Sequence, residues 1–289
     1  MPGNDVREVV FLTYNFKDKK IIDLVMTIKR APDGERIYFI VFMTDKNDLL
    51  LIKHVRGDPR VYTDADTQTA ITLDNSLRHI RGYYRHQQNE TAPEDGFIII
   101  EEEDTGIQHM RRVVLTHDEE YNPTMTLVGF ETIGKERVVQ LEVNNKFICV
   151  SQPSINTIKF YSSVDLQYIQ EVTRPDSDVG QSMTLRRKIM PNGLEMHRLY
   201  FSQKYQTPDG FNSWKISTMQ VFLGDEYSYA PASQPVEVDD AFVFPPKTAD
   251  DEVSETISFS VWGQRLIGIA NKDIYFDLAS ICTNDQYWT

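Results

Sequence analysis

Cysteine is scarce in this sequence: Cys149 and Cys282 are the only two in 289 residues. Each lies in a hydrophobic run of the kind found in buried strands. Two cysteines cannot build a disulfide framework, and neither has the Cys or His neighbours whose spacing is typical of a zinc site. We therefore expect two buried free thiols, no bound metal, and a reducing location, either cytoplasmic or nuclear.

Long apolar runs are also missing. No hydrophobic stretch approaches the ~18 residues that a membrane-spanning helix needs. The first residues, MPGNDVREVVFLTYNF, lack the charged region, apolar core and small-residue cleavage site of a secretory leader. These absences predict a protein without a membrane partner.

Positive charge is in short supply. The chain has 30 Lys and Arg residues against 43 Asp and Glu residues, so its net charge is −13 and its pI is about 4.9. Because a surface that follows nucleic acid needs a cationic field, we expect no DNA partner and disfavour RNA. The 15 Phe, 14 Tyr and 3 Trp residues nevertheless supply large surfaces to bury, which excludes wholesale disorder.

The usual catalytic signatures are absent as well. The chain contains no GxSxG, HExxH, P-loop or GxGxxG motif. Its carboxylates occur in adjacent runs, such as residues 101–104 and 118–120, which are typical of solvated strand ends. His109 and His117 are eight residues apart, on one face of a regular strand, but no third metal ligand is evident. We therefore predict no catalytic residues, no cofactor and no metal.

Strand signals fill most of the chain. Runs rich in Val, Ile, Phe, Tyr and Thr alternate with turn residues such as Pro32-Asp33-Gly34. Residues 19–30 fit either a short helix or a strand, and their β-branched side chains favour the strand. The sequence therefore predicts an all-β protein.

One pattern recurs along the chain. In NNKFICVSQPSINTIKFYSSVDLQYIQEV, residues 144–172, a hydrophobic burst is followed by a polar turn and a second burst around Phe160. Similar bursts lie at Ile216 and Tyr275, after intervals of 56 and 59 residues, and earlier at residues 49–52 and 113–115. Repeated three- or four-strand units favour radial repetition over one large barrel.

The stretch at residues 145–172 resembles a blade of a β-propeller in the loose WD-repeat style. The Gly-His and Trp-Asp dipeptides of that family are absent, and the units exceed its usual ~40 to 45 residues. The resemblance implies a single propeller-like domain over residues 1–289, built from about five long antiparallel blades. Residues 228–255, which are acidic and contain Pro, are expected to form a long loop within it.

A second resemblance competes with the first. The segment FNSWKISTMQVFLGD, residues 211–225, is similar to the late strand pair of interleukin-1-type β-trefoils. It implies a β-trefoil with a second β domain, and a cytokine-like protein that binds a receptor.

The best candidate for a binding surface is the basic and aromatic segment LRHIRGYYRHQQ, residues 77–88. Interleaved Arg and Tyr can stack on bases or pair with phosphates, although Arg side chains also neutralise neighbouring carboxylates within a fold. In an acidic chain we expect a protein partner, recognised through acidic or phosphorylated segments. The predicted partner-binding residues are Arg78, Arg81, Tyr83, Tyr84, Arg85, Arg111 and Arg112.

Three functions are compatible with these observations. A propeller-like array without catalytic motifs favours a non-enzymatic scaffold or adaptor within a larger complex. A propeller-type hydrolase or lyase with a site in the central channel is one alternative, and the receptor-binding trefoil is the other.

Overall fold

The structure, a computed structural model, describes residues 13–55, 61–83, 94–144, 146–173, 179–189, 191–206, 208–210, 212–224, 239–243, 257–262, 265–270 and 273–275. Within these residues the regular elements are β-strands and two single-turn 3₁₀ helices, Asp64–Asp66 and Pro153–Ile155. Neither helix has the length and apolarity required to cross a bilayer. The all-β prediction is confirmed.

The described strands are as follows in chain order. They are β1 (Thr13–Asn15), β2 (Ile21–Arg30), β3 (Arg36–Thr44), β4 (Asp48–Val55), β5 (Val61–Thr63), β6 (Thr69–Thr72), β7 (Ser76–Tyr83), β8 (Glu94–Glu102), β9 (Gln108–His117), β10 (Pro123–Gly134), β11 (Gln140–Val143), β12 (Phe147–Gln152), β13 (Thr157–Ser162), β14 (Tyr168–Thr173), β15 (Val179–Ile189), β16 (Glu195–Gln206), β17 (Asn212–Gly224), β18 (Asp239–Val243), β19 (Ile257–Trp262), β20 (Arg265–Ala270) and β21 (Asp273–Tyr275).

Successive strands form sheets in meander order. Among the described residues, four sheets have four strands each, namely β2-β3-β4-β6, β7-β8-β9-β10, β11-β12-β13-β14 and β15-β16-β17-β18. A further sheet, β19-β20-β21, has three strands, and β1 pairs with β5 in parallel. These antiparallel sheets are the blades of a β-propeller arrangement, as the WD-like resemblance predicted.

The trefoil interpretation was wrong. The segment that supported it forms β17, which is an inner strand of a four-stranded blade, hydrogen-bonded to β16 on one side and β18 on the other. A short strand sequence fits many β folds, because burial on a pleated surface selects the same residues in each.

The recurring hydrophobic runs occupy the same position in each sheet. Phe160 lies on β13, Ile216 on β17 and Tyr275 on β21, and each of these is the third strand of its sheet. The two earlier matches, residues 49–52 on β4 and 113–115 on β9, also lie on third strands. The repeat in the sequence is therefore the blade period.

The chain divides into two compact units. The described residues within 13–101 and 112–128 belong to the first, and those within 102–111 and 129–275 belong to the second. The first unit has a buried core that includes Phe39, Val41, Leu51, Ile99 and Val113. The core of the second unit includes Cys149, Phe160, Leu199, Phe201 and Met219. That residues 1–289 act as a single domain stays a prediction.

Strand β3 shows how an uninterrupted apolar run is used in this fold. Phe39 and Val41 pack in the main core of the first unit, while Tyr38, Ile40 and Phe42 pack in a second cluster on the opposite face. Because successive side chains alternate across a strand, a strand buried on both faces needs hydrophobic residues at every position. In the neighbouring β2, exposed and half-buried side chains alternate along most of the strand. This strand confirms the prediction of a strand within residues 19–30.

The prediction of a long loop at residues 228–255 was wrong for five residues. Asp239–Val243 form β18 and pair antiparallel with β17. The two aspartates that begin this segment are typical of a loop, but the Ala, Phe and Val residues that follow them form a strand, which Phe and Val favour. The rest of that segment lies outside the described residues.

Candidate functional site

The structure separates the predicted basic segment into its parts. Arg78 lies exposed on β7, whereas Arg81 of the same strand is half-buried, with Nη1 2.7 Å from Oδ2 of Asp23. The same Nη1 donates a hydrogen bond to the carbonyl of Ile80. Arg81 is therefore neutralised within the first unit. Tyr83 ends β7, and Tyr84 and Arg85 lie outside the described residues.

Arg111 and Arg112 are consecutive residues of β9. Successive side chains point to opposite faces of a strand, so the two guanidinium groups do not form one basic patch. Arg111 belongs to the second unit and Arg112 to the first. That these seven residues bind a partner stays a prediction.

Around Arg111 the structure forms a cluster that the sequence did not indicate. We call it the Phe130 cluster; its members are Glu103, His109, Arg111, Phe130 and Thr132. The Phe130 ring stacks on the His109 ring with a centroid separation of 4.5 Å, and Cζ of Arg111 lies 4.9 Å from the Phe130 centroid. Phe130 is nevertheless 50% exposed, so an aromatic ring is held in position at the surface.

Hydrogen bonds fix the imidazole in this cluster. Nε2 of His109 lies 2.7 Å from Oε1 of Glu103, and Nδ1 lies 3.2 Å from Oγ1 of Thr132. A carboxylate can only accept, so Nε2 carries the proton and Nδ1 accepts from the threonine hydroxyl. The ring beneath Phe130 is therefore oriented from both sides.

A tight turn brings Glu103 to His109. The amide of Gly106 donates to the carbonyl of Glu103, and the amide of Glu103 donates to the carbonyl of Ile107, both at 2.9 Å. Gly106 has φ +79°, in the left-handed region where glycine is unstrained. The hydrogen bond from His109, followed by that from Thr105, lowers the pKa of Glu103 below its ordinary value of 4.5. The carboxylate is thus charged at neutral pH.

A second group of polar side chains is buried in the second unit, where β12 and β16 begin. Glu195 and His197 on β16 contact Asn144 and Lys146, which precede β12. All but Asn144 are almost wholly removed from solvent. A network without access to solvent orders the fold rather than meeting a substrate.

The described residues contain no group of three or more His, Cys, Asp or Glu side chains arranged to hold a metal ion. His109 and His117, which the spacing put on one face of a strand, make different contacts. His109 bonds to Glu103 as described, and His117 stacks on Tyr121 with a centroid separation of 4.7 Å.

Sequence reasoning missed Phe130, although a signal was present. On β10 the outward positions Thr124, Thr126 and Thr132 are polar and exposed, and Phe130 shares their parity. A large aromatic residue on the polar face of a strand is an exposed hydrophobic group. Such a group indicates a candidate interaction site.

Comparison with known proteins gives fold-level likeness. No protein-family model and no curated protein sequence matches the chain. The chain is similar to the structure of Hsv2 from Kluyveromyces marxianus, with 9% identity over 81% of this chain and 74% of that one, and a TM-score of 0.33. It is also similar to MPT-4, a mannose phosphorylase from Leishmania mexicana in complex with phosphate ion, with 9% identity, coverage of 94% and 92%, and a TM-score of 0.38. These likenesses assign no activity to the chain.

Proposed function

We propose that this protein is a non-enzymatic interaction scaffold, and that the Phe130 cluster is part of its partner-binding surface. The observation that carries the proposal is the half-exposed Phe130 ring, held against His109 and beside the Arg111 guanidinium. The antiparallel blade supports these groups from two adjacent strands, β9 and β10.

The chemistry of the cluster fits protein recognition. Aromatic residues and arginine are enriched at the energetic centres of protein interfaces, where large rigid side chains lose little entropy on binding. Phe130 is already oriented in the free protein, so that loss is reduced further. The Phe130 cluster therefore has the composition and rigidity of a protein-binding surface.

The partner that fits best is an acidic or phosphorylated segment with a neighbouring apolar side chain. Arg111 offers a fixed planar donor set that pairs with carboxylate or phosphate, and Phe130 offers an apolar face. Glu103 lies in the same cluster and is charged at neutral pH, so a basic side chain of the partner can contact the opposite end. The partner segment is therefore expected to have its acidic group at the Arg111 end.

A display selection with random peptides tests this proposal across many partner sequences at once. We expect the intact protein to enrich peptides with an acidic residue close to an apolar one. Phe130→Ala and Arg111→Glu should each weaken binding of the selected peptides by about tenfold or more, as expected for residues at an interface centre. Tyr168→Ala is the matched control, because Tyr168 is also 50% exposed, on β14 of the same unit.

Two results would contradict the proposal. One is a set of selected peptides whose binding is unaffected by both substitutions in the Phe130 cluster. The other is an equal loss of binding in the Tyr168 control, which would locate recognition elsewhere or show that binding is non-specific.

A further inference from the structure

We propose that Thr132 is a site of covalent modification, where His109 and Glu103 activate the threonine hydroxyl for acylation. The donor class is an activated acyl compound, an ester or an acyl phosphate with a good leaving group. This inference goes beyond the scaffold function and does not rest on it.

Three side chains stand in hydrogen-bonded sequence. Oγ1 of Thr132 lies 3.2 Å from Nδ1 of His109, and Nε2 of the same ring lies 2.7 Å from Oε1 of Glu103. A hydroxyl within hydrogen-bond reach of a base, with that base oriented by a third group, is the arrangement that activates a nucleophile in unrelated folds. The arrangement at Thr132 contains all three parts.

The carboxylate keeps the imidazole ready to accept a proton. Oε2 of Glu103 accepts a hydrogen bond from Oγ1 of Thr105 at 3.0 Å, so both of its oxygens are held. Because the pKa of Glu103 is lowered by the hydrogen bond from His109, the group is an anion at neutral pH. An anion at Nε2 leaves Nδ1 unprotonated and stabilises the imidazolium that forms when Nδ1 takes a proton. Glu103 is thus a positioning residue.

The surroundings shield the base and expose the nucleophile. His109 is only 5% exposed and lies under the Phe130 ring, with a centroid separation of 4.5 Å. Thr132 is exposed on β10, so an acyl donor can reach its hydroxyl from solvent. The half-exposed Phe130 ring offers an apolar surface on which an aromatic donor can pack.

The transfer balances without a further reactant. Oγ1 of Thr132 bonds to the acyl carbon as its proton passes to Nδ1 of His109. The bond between the acyl carbon and the leaving oxygen then breaks, and the leaving group departs with the electron pair. The imidazolium returns its proton to the leaving group or to water, so Thr132 ends as an ester and His109 is regenerated.

The probe is para-nitrophenyl acetate, applied to the native full chain and followed by mass spectrometry. Residues 113–135 form one tryptic peptide, bounded by Arg112 and Lys135, so its threonines are compared in one fragment spectrum. Thr126 is the internal control: it is exposed on β10, and no imidazole contacts it within the described residues. We expect Thr132 to be acetylated at least about tenfold faster than Thr126, as general-base assistance provides. Equal rates at the two threonines would overturn the proposal.

Two variants test the base and the nucleophile. His109→Phe retains a ring beneath Phe130 and should slow acetylation at position 132 by about tenfold or more. Thr132→Ser should keep the fast reaction, and the nearly isosteric Thr132→Val should lose it at that position alone. Unchanged acetylation of Thr132 in His109→Phe would show that the imidazole is not the base, and the proposal would be wrong.

A spectroscopic readout tests the positioning role of Glu103. Nitrogen NMR of the His109 ring should show a proton on Nε2 and none on Nδ1 in the intact protein, and a mixture of the two tautomers in Glu103→Ala. The same variant should slow acetylation of Thr132 by about tenfold. An unchanged tautomer together with an unchanged rate would overturn the role given to Glu103.

Discussion

His197 Nε2 lies 2.8 Å from Oε1 of Glu195, and both side chains are buried at the start of β16. Because the carboxylate can only accept, Nε2 of His197 donates to it. Nδ1 of His197 accepts a hydrogen bond from the side-chain amide of Asn144, at 2.8 Å. The oxygen of that amide in turn accepts from the backbone amides of Lys146 and Phe147, each at 2.9 Å. One chain of hydrogen bonds thus ties two neighbouring blades of the second unit together.

We expect Glu195→Gln to destabilise the protein strongly. Nζ of Lys146 lies 3.2 Å from Oε2 of Glu195, and both side chains are buried, so the substitution removes a carboxylate that a buried ammonium contacts. Breaking such a pair costs about 3–5 kcal/mol in the free energy of unfolding. Urea unfolding followed by circular dichroism measures it, with the exposed Glu119→Gln as control. Equal unfolding midpoints in the two variants would show that the pair contributes little.

Gly180→Ala should also destabilise the second unit. A Cβ at Gly180 would lie 2.7 Å from Cβ of Ser151, and its φ of +75° is strained for any L-residue with a side chain. Backbone strain and overpacking together amount to about 2–5 kcal/mol.

Gly193→Ala is the matched control for Gly180→Ala. Its φ is +82° but no atom lies within 4 Å of the added Cβ, so we expect only the backbone strain, about 1 kcal/mol. Adding Ser151→Gly to Gly180→Ala should restore part of the lost stability. Similar losses for both alanine variants in urea unfolding would argue against close packing of β15 on β12.

The pKa of Glu103 reports on the Phe130 cluster. The hydrogen bond from His109 is the main cause of its lowered pKa, so His109→Phe should move the pKa of Glu103 up toward 4.5 while retaining a ring beneath Phe130. A carbon-detected NMR titration of the Glu103 carboxyl group measures this, and Thr105→Val should give a smaller rise. An unchanged titration in His109→Phe would exclude the hydrogen bond.

The sign of the effect on stability follows from the direction of the shift. The pKa of Glu103 is lower in the folded than in the unfolded chain, so its stabilising contribution is present above the unfolded pKa. That contribution is lost as the pH falls through the folded pKa. His109→Phe should therefore weaken the pH dependence of unfolding in the acidic range.

Cys149 should be unreactive in the folded protein. It is fully buried, and burial raises the pKa of its thiol well above the ordinary value of 9.0, so the reactive thiolate is scarce. In a Cys282→Ser variant, a thiol-specific reagent should label the native protein far more slowly than the protein unfolded in urea. Rapid labelling of the native protein would show that β12 opens readily.

Much of the fold could be predicted from the sequence. Phe160, Ile216 and Tyr275 recur at the blade period because each lies on the third strand of its blade. Strand β2, within the predicted residues 19–30, was also predictable, since β-branched residues fit a pleated surface. The candidate site was predicted less well: Arg111 was identified, but Phe130 and His109 were not connected to it.

The sequence by itself determined the all-β class, the blade repeat and the burial of Cys149, because these depend on local alternation of apolar and polar side chains. Only the tertiary structure decided that Arg81 pairs with Asp23 and that Arg111 lies beside Phe130. It also decided that Lys29 and Asp95, 66 residues apart, form a buried pair. Such contacts depend on which strands become neighbours and in what register. The local sequence around each residue does not indicate this pairing when the two residues are far apart in the chain.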